Sequence, residues 1–135
     1  MAEKKQEKIV IQVGSEKAEA TLLWEDAPDI CKAIWEHLPI QSSGTHAKIC
    51  NHELMFMLPF IVDRENLQQV KPGCVGLWDV RNMVNIWYDD PGPIGPLGPT
   101  ALFAVVTKNL EGIGREIAKS WNKPGVLVKF EQVKE

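Results

Sequence analysis

A chain of 135 residues with 44% hydrophobic and 24% charged residues has the size and composition of one globular domain. At this length folding buries roughly 65–70% of the surface of the unfolded chain, which is enough for stability without metal or disulfide bonds. The net charge is −3 and the basic residues cluster only at Lys4, Lys5 and Lys8, so nucleic acid is not an expected partner. No apolar run approaches the roughly 20 residues that cross a bilayer, so no membrane segment is expected.

The cysteines and the first residues indicate the compartment. Cys31, Cys50 and Cys74 are widely spaced and odd in number, whereas a secreted domain of this size usually carries paired cysteines. The opening residues MAEKKQEK are charged and lack the apolar core of a signal peptide. The sequence therefore predicts a cytoplasmic protein with free thiols, in which residues 1–7 form a disordered tail.

Period-two alternation of apolar residues predicts a β-hairpin near the start of the chain, over residues 9–13 and 18–24. The next stretch, EDAPDICKAIWEHLP, predicts a helix because its apolar residues repeat at helical spacing. Asp26 is the expected N-cap and Pro28 suits the first turn. Pro39 is expected to end the helix.

The remaining sequence predicts short strands and one more helix. Apolar residues at helical spacing predict the second helix from about Leu110 to Trp121. Strands are predicted near residues 45–50, 53–58, 75–80, 83–88, 100–107 and 125–131. Because short strands outnumber helices, we predict a mainly β chain with two helices, folded as a single-domain closed barrel of about eight strands.

Two segments depart from simple alternation. LMFMLPF, residues 54–60, is apolar on both faces, which predicts a strand covered on both sides. Such an apolar strip exceeds what one barrel face requires, so we also predict a homo-oligomer. DDPGPIGPLGP, residues 89–99, is too rich in proline and glycine for a helix or central strand and is predicted to be a surface loop.

Several short motifs resemble the cyclophilin-like β-barrels. TLLWEDAPDICKAIWEHLP resembles the cyclophilin segment in which a strand passes through an Ala-Pro pair into the first helix, and GPTALFAVV resembles a later strand. The sequence is most similar to a group of uncharacterised prokaryotic cyclophilin-like proteins, a domain of unknown function. The shared motifs are Ala27-Pro28, Gly44-Thr45-His46, Glu65-Asn66, Pro72-Gly73 and Phe103-Ala104. This likeness extends over residues 8–131 and implies a cyclophilin-like barrel domain over residues 8–135.

The resemblance does not extend to the residues of proline isomerisation. Proline-isomerising cyclophilins use an arginine on a strand beside an apolar proline pocket, whereas the matching strand HAKICNHELMF has Lys48 and no arginine. Lysine presents a mobile, hydrated point charge instead of a planar fork of donors. Arg64 lies further along the chain. We therefore expect prolyl isomerase activity to be weak or absent.

Polar and aromatic residues near the ends of predicted strands are the candidate ligand-binding residues. Arg64, Glu65 and Asn66 follow a hydrophobic strand, at the kind of strand–loop junction that often contacts ligands. Trp78 and Trp87 lie on neighbouring strands of a predicted hairpin and can form the floor of an apolar pocket. The complete predicted set is His46, Arg64, Glu65, Asn66, Trp78, Trp87, Tyr88 and Phe103, with Met55 and Met57 as further lining.

A structural interpretation of these residues remains open. Arg64 can pair with a nearby carboxylate, Asn66 can hold the loop backbone, and the tryptophans can pack in the core. His46, Cys50 and His52 would share one face of an unbroken strand, but the intervening asparagine predicts a turn and no fourth ligand follows. We therefore predict no metal and no cofactor, and a cysteine nucleophile paired with either histidine remains an alternative.

The leading functional prediction is a protein that binds or processes a small molecule in a pocket at the side of the barrel. The first alternative is a peptide-binding module or weak peptidyl-prolyl isomerase. The second is a non-catalytic interaction subunit resembling the cyclophilin-like domains of amide-hydrolysing complexes. A closed pocket favours the small molecule, an open aromatic groove favours the peptide, and a flat apolar patch favours the subunit. The sequence does not decide whether the protein is an enzyme.

Overall fold

The computed structural model describes residues 8–48, 52–90 and 100–133, and within them the chain forms nine strands and two helices. The strands are β1 (Lys8–Val13), β2 (Glu16–Leu22), β3 (Ile40–His46), β4 (Glu53–Met57), β5 (Leu67–Gln68), β6 (Cys74–Trp78), β7 (Met83–Trp87), β8 (Thr100–Lys108) and β9 (Val126–Gln132). The helices are α1 (Pro28–Glu36) and α2 (Leu110–Lys119). Neither of these helices is long and apolar enough to span a bilayer.

The strands form one closed antiparallel ring. Their order is β2-β1-β9-β3-β4-β7-β6-β8, and an additional pairing between β2 and β8 closes it. The short strand β5 pairs with the first residues of β8 and adds a ninth strand beside the ring. The predicted fold class, a mainly β single domain with two helices and a closed eight-stranded barrel, is confirmed.

The core lies inside the ring and is completed by the two helices. Alternate residues of β1 and β2 point inward, and the three inward residues of β1 are fully buried. α1 begins a few residues after the end of β2. The N-cap of α2 is Asn109, whose side chain donates to the carbonyl oxygen of Lys17 at the start of β2. Since β2 crosses the barrel between these two points, the helices pack at opposite ends. Ile34 of α1 and Ile117 of α2 both belong to the central cluster.

Three predicted details of the elements were wrong. β3 covers Ile40–His46 instead of residues 45–50, because its polar sequence IQSSGTH hides the strand pattern. The N-cap of α1 is Ala27 and its side chain gives no capping bond, so Asp26 is not the cap. The strand in LMFMLPF is not covered on both sides, since the Met57 side chain is 60% exposed. The disordered tail predicted for residues 1–7, residues 91–99 of the predicted loop and Cys50 lie outside the described residues.

Candidate functional site

The predicted ligand-binding residues lie on several different elements of the fold. Arg64, Glu65 and Asn66 lie in the segment before β5. His46 and Tyr88 meet at the barrel end covered by α2. Phe103 lies in the core, and the two tryptophans of the β6–β7 hairpin point to the outer face of the barrel. The structure therefore does not bring the eight residues into one site.

The Arg64–Asn66 segment holds neighbouring elements together. Arg64 Nε lies 3.1 Å from Asp79 Oδ2, on the protein surface. Glu65 Oε1 accepts a hydrogen bond from the backbone nitrogen of Ile30 at 2.7 Å, in the first turn of α1. Asn66 Nδ2 donates to the carbonyl oxygen of Leu102 at 2.9 Å, on β8. Each contact satisfies a structural need, and the ligand-binding role of the segment stays a prediction.

Glu65 supplies the cap that α1 lacks locally. A carboxylate on the first turn of a helix accepts from a free backbone N–H and also complements the positive end of the helix dipole. We expect Glu65→Ala to lower the free energy of unfolding by about 1 kcal/mol, measured by urea denaturation. Glu65→Gln keeps an acceptor oxygen and should retain most of that stability. Equal losses in both variants would contradict the capping role.

Buried His46 and half-buried Tyr88 form a hydrogen-bonded pair at the α2 end of the barrel. His46 Nδ1 lies 2.7 Å from the carbonyl oxygen of Ala47, and its Nε2 lies 2.7 Å from the Tyr88 hydroxyl. Because a carbonyl oxygen only accepts hydrogen bonds, Nδ1 of neutral His46 carries the ring proton and donates to Ala47. Nε2 therefore accepts a hydrogen bond from the Tyr88 hydroxyl. Burial is the main cause that lowers the pKa of His46, with the nearby charges of Lys48 and His52 adding to it. The pair is therefore held in its neutral form.

Aromatic and basic residues surround this pair. The Trp121 ring meets His46 edge-on with centroids 5.0 Å apart, and Lys48 Nζ lies 3.8 Å from the centre of the same ring. Lys48 also donates to the Trp121 carbonyl oxygen. Burial, with a smaller contribution from Asp89, raises the pKa of the Tyr88 hydroxyl. These contacts of His46 and Lys48 with Trp121 hold the start of the β3–β4 connection against the end of α2.

Phe103 belongs to the barrel core. Its side chain is fully buried in the central cluster, and its carbonyl oxygen accepts from the Cys31 thiol at 3.4 Å. Burial raises the pKa of this thiol to about 12, so Cys31 stays protonated and is a poor nucleophile. Because Phe103 packs in the central cluster inside the ring and Trp87 packs in a separate cluster, the two side chains lie on opposite faces of the sheet.

The outer face of β4, β7 and β6 carries a second, partly polar cluster. On these strands the core residues alternate with outward ones, so Glu53, Asn85, Trp87 and Cys74 share the outer face. Glu53 is paired in register with Trp87. A smaller apolar cluster of Val70, Cys74 and Trp87 packs beside them, with Leu102 against it. We call Glu53, Asn85 and Trp87 the outer-face cluster.

The polar atoms of the outer-face cluster are buried but only partly satisfied. Glu53 and Asn85 are each 3% exposed and Trp87 is 1% exposed. Asn85 Nδ2 donates to Glu53 Oε2. In the part of the chain that the structure describes, neither Asn85 Oδ1 nor Trp87 Nε1 has a hydrogen-bond partner. A buried acceptor and a buried donor therefore remain unpaired on one face of β7.

Apolar side chains lie beside the outer-face cluster, on its side toward the barrel end opposite α2. Met55 is paired with Asn85 across β4 and β7 and is half-buried. Met57 and Trp78 are each paired with Met83 and are partly exposed. The structure therefore places Met55, Met57, Trp78 and Trp87 on one face of the sheet, without Phe103, and their role as pocket lining stays a prediction.

The model of a family described as "Protein of unknown function (DUF3830)" matches residues 9–73. The match covers 65 of the 135 residues and so slightly less than half of the chain. It includes Glu53 but ends before Asn85 and Trp87. No curated protein matches the sequence.

Two solved structures show the same fold. The structure of McbB in complex with tryptophan matches with a TM-score of 0.78 at 19% sequence identity, over 94% of this chain and 45% of the McbB chain. This chain thus spans less than half the length of McbB. The solution structure of the hypothetical protein AF2241 from Archaeoglobus fulgidus matches with a TM-score of 0.71 at 23% identity, over 98% of this chain and 100% of that chain. At these identities the likeness establishes the fold alone.

Sequence reasoning missed Glu53 and Asn85. Both lie at outward positions of correctly predicted strands, where a polar residue is ordinary and draws no attention. The signal that the sequence offered was the spacing of Asn85 and Trp87, which are two residues apart and therefore share one face of β7. Their burial depends on the assembled barrel and cannot be inferred from strand pattern.

Proposed function

We propose that this protein binds a small molecule on the outer face of its barrel, at the outer-face cluster of Glu53, Asn85 and Trp87. The observation that carries the proposal is the pair of buried, unpartnered polar atoms on Asn85 and Trp87. Leaving a buried donor or acceptor unpaired costs about 1–3 kcal/mol, which the fold alone gives no reason to accept. A ligand that completes both hydrogen bonds supplies that reason.

The position of the cluster supports the same proposal. The outer face of an antiparallel sheet is normally solvated, so a carboxylate and an amide there have no structural need to be buried. Ligand sites typically combine apolar lining with a few placed polar groups. Met55, which is paired with Asn85, supplies apolar surface beside the cluster, and the partly exposed Trp78 lies further along the same face, paired with Met83. McbB, which shares the fold over 45% of its own chain, is known in complex with tryptophan, and this supports small-molecule binding as a proposal.

We also assign the chain to the cyclophilin-like barrels. The closed eight-stranded ring and the helix that follows the Ala27-Pro28 pair support this assignment. The proposed site shares Trp87 and Trp78 with the set of eight residues predicted from the sequence. The ligand-binding roles of the other six, His46, Tyr88, Arg64, Glu65, Asn66 and Phe103, stay predictions beside the structural contacts described above.

A thermal-shift screen against a metabolite collection tests the proposal. A ligand that binds the folded state raises the melting temperature, by an amount that grows with its concentration over Kd. We expect at least one hit whose effect is lost in Trp87→Phe, which removes the indole N–H and keeps an aromatic ring. Trp121→Phe is the matched control, because Trp121 lies at the barrel end beside His46.

Two outcomes would contradict the proposal. One is a screen in which no compound stabilises the wild-type protein. The other is a set of hits that stabilise Trp87→Phe as strongly as the wild type, which would place the binding site elsewhere.

A further inference from the structure

We infer that two copies of this chain form a symmetric dimer through an apolar patch at the barrel end where β6 turns into β7. The apolar patch consists of Met57, Ile61, Trp78, Val80 and Met83. A second copy of the chain is the partner whose size and charge this patch fits best. Dimer formation does not depend on the ligand proposed above.

Three side chains of the apolar patch form one row across neighbouring strands. Met83 on β7 is paired in register with Met57 on β4 and with Trp78 on β6. Residues directly opposite each other in an antiparallel sheet project from the same face. This is the outer face, because the next residues along β7 and β6, Val84 and Leu77, pack in the central cluster.

Polar contacts hold Ile61 and Val80 beside this row. Val80 belongs to the turn that joins β6 to β7. Asn82, in the same turn, donates from Nδ2 to the carbonyl oxygen of Phe60 at 2.7 Å, immediately before Ile61. The surface ion pair of Arg64, described above, binds the segment to the same turn a second time. The segment that carries Ile61 is therefore fixed against the turn that carries Val80.

Exposed apolar surface is concentrated in this one region. In the part of the chain that the structure describes, seven large hydrophobic residues are exposed, and four of them belong to the apolar patch, with exposed fractions of 39–87%. Single exposed apolar side chains are ordinary, whereas a group of them marks an interaction surface. The four side chains expose roughly 500 Å², within the range of about 300–600 Å² for the largest patch on a typical protein.

The size and composition of the apolar patch match the centre of a stable dimer interface. A standard interface buries about 800 Å² on each partner, and somewhat more than half of that area is apolar. The apolar patch can supply this share. Tryptophan, methionine and arginine are enriched at interfaces. Here Arg81 lies over the Trp78 ring, 6.0 Å from its centroid, beside two methionines.

The charges around the apolar patch favour a second copy over a charged partner. The segments that carry it, residues 57–64 and 78–83, contain two acidic and two basic residues, namely Asp63, Asp79, Arg64 and Arg81. With no net charge, this rim gives no attraction to nucleic acid or to an acidic peptide. Across a two-fold axis residue i meets residue j and residue j meets residue i, so a rim of both signs can be complementary to itself.

The apolar patch and the outer-face cluster lie at opposite ends of β7. Met83 and Trp87 are four residues apart, which corresponds to about 13 Å along a strand. Dimerisation and ligand binding can therefore be measured separately, and either can fail without the other. Trp78 belongs to the apolar patch and also to the proposed ligand site, so the variants below leave it unchanged.

Sedimentation equilibrium over a range of micromolar concentrations tests the dimer. We expect the wild type to have twice the mass of one chain. Ile61→Asp and Val80→Asp should each weaken the dimer at least about tenfold, because each substitution places an unpaired charge in the interface twice. Both side chains are largely exposed in the single chain, so both variants should fold, which circular dichroism checks.

Leu127→Asp is the matched control. Leu127 is also an exposed apolar residue, but it lies on β9, paired with Ser43 of β3 and outside the apolar patch. This variant should keep the mass of the wild type. Because dimerisation stabilises the folded chain by mass action, urea denaturation measures the single chain only at protein concentrations well below the Kd of the dimer.

The salt dependence tests what holds the dimer together. An interface centred on apolar side chains with a neutral rim should change its Kd by less than about threefold between about 0.1 and 1 M salt. A dimer that dissociates at the higher salt would be held by charges, which would contradict the role of the apolar patch.

Three further results would overturn the inference. One is a wild type that keeps the mass of a single chain at every concentration. Another is a dimer that survives both Ile61→Asp and Val80→Asp, or that Leu127→Asp disrupts as strongly, because its interface would then lie elsewhere. The third is a mass that rises beyond two chains with concentration, which would exclude a closed symmetric pair.

Discussion

Phe103→Ala is expected to lower the free energy of unfolding by about 3–5 kcal/mol, because truncating a fully buried aromatic ring loses its packing and leaves a cavity. Urea denaturation of the variant and the wild type measures the difference. Met57→Ala is the matched control, since Met57 was predicted to line the same pocket but is 60% exposed. Its effect should stay within about 0.5 kcal/mol.

The comparison decides what Phe103 does. If Phe103→Ala unfolds at nearly the wild-type urea concentration and fails to bind ligands of the outer-face cluster, Phe103 would be a binding residue and the core assignment would be wrong. A large loss of stability in Phe103→Ala alone supports the core assignment.

Stability is expected to fall as the pH is lowered through 6.5, the ordinary pKa of histidine, because of His46. Burial lowers the pKa of this histidine below its ordinary value of 6.5, so the unfolded chain binds the proton more readily than the folded protein does. The free energy of unfolding therefore stays constant above the unfolded pKa and decreases as the pH falls through it toward the folded pKa. The slope for one proton is at most about 1.4 kcal/mol per pH unit.

His46→Gln tests this assignment, because glutamine does not titrate and can still accept from the Tyr88 hydroxyl. The variant should show a shallower dependence of unfolding free energy on pH in urea denaturation. His37→Gln, at an exposed position, controls for the loss of any histidine. Glu116, whose pKa is lowered from 4.5 mainly by its hydrogen bond with Lys119, loses its contribution only at more acidic pH. Identical pH slopes in His46→Gln and wild type would rule out His46 as the source.

The strands and helices were largely predictable because the barrel buries one face of each strand. Period-two alternation in β1 and β2, and helical spacing in α2, are direct consequences of that burial. β3 escaped prediction because two of its inward positions are Ser42 and Gly44. A Cβ atom on Gly44 would lie 2.8 Å from side-chain atoms of Leu54 and Val128, so the packing there demands a small residue and erases the apolar pattern.

The candidate site was less predictable because it depends on contacts between distant segments. Glu65 follows a strand and suggested a ligand contact, yet it caps a helix that begins 37 residues earlier, at Pro28. The contact between Asn85 and Glu53 gives no sequence signal, since only the register of β4 against β7 brings the two residues together. The ligand-binding roles, the homo-oligomer and the cytoplasmic location stay predictions. The exposed side chains of Ile61 and Val80 remain consistent with an oligomer interface.

The place of β9 in the ring has a consequence for synthesis on the ribosome. β9 lies between β1 and β3 and pairs with both, although β1 is the first and β9 the last strand among the described residues. Until β9 emerges, the backbone groups of β1 and β3 that it covers have no strand beside them, and such open edges invite pairing with other chains. The nascent protein must therefore wait for its last strand before the barrel can close, and it is most prone to aggregation during that interval.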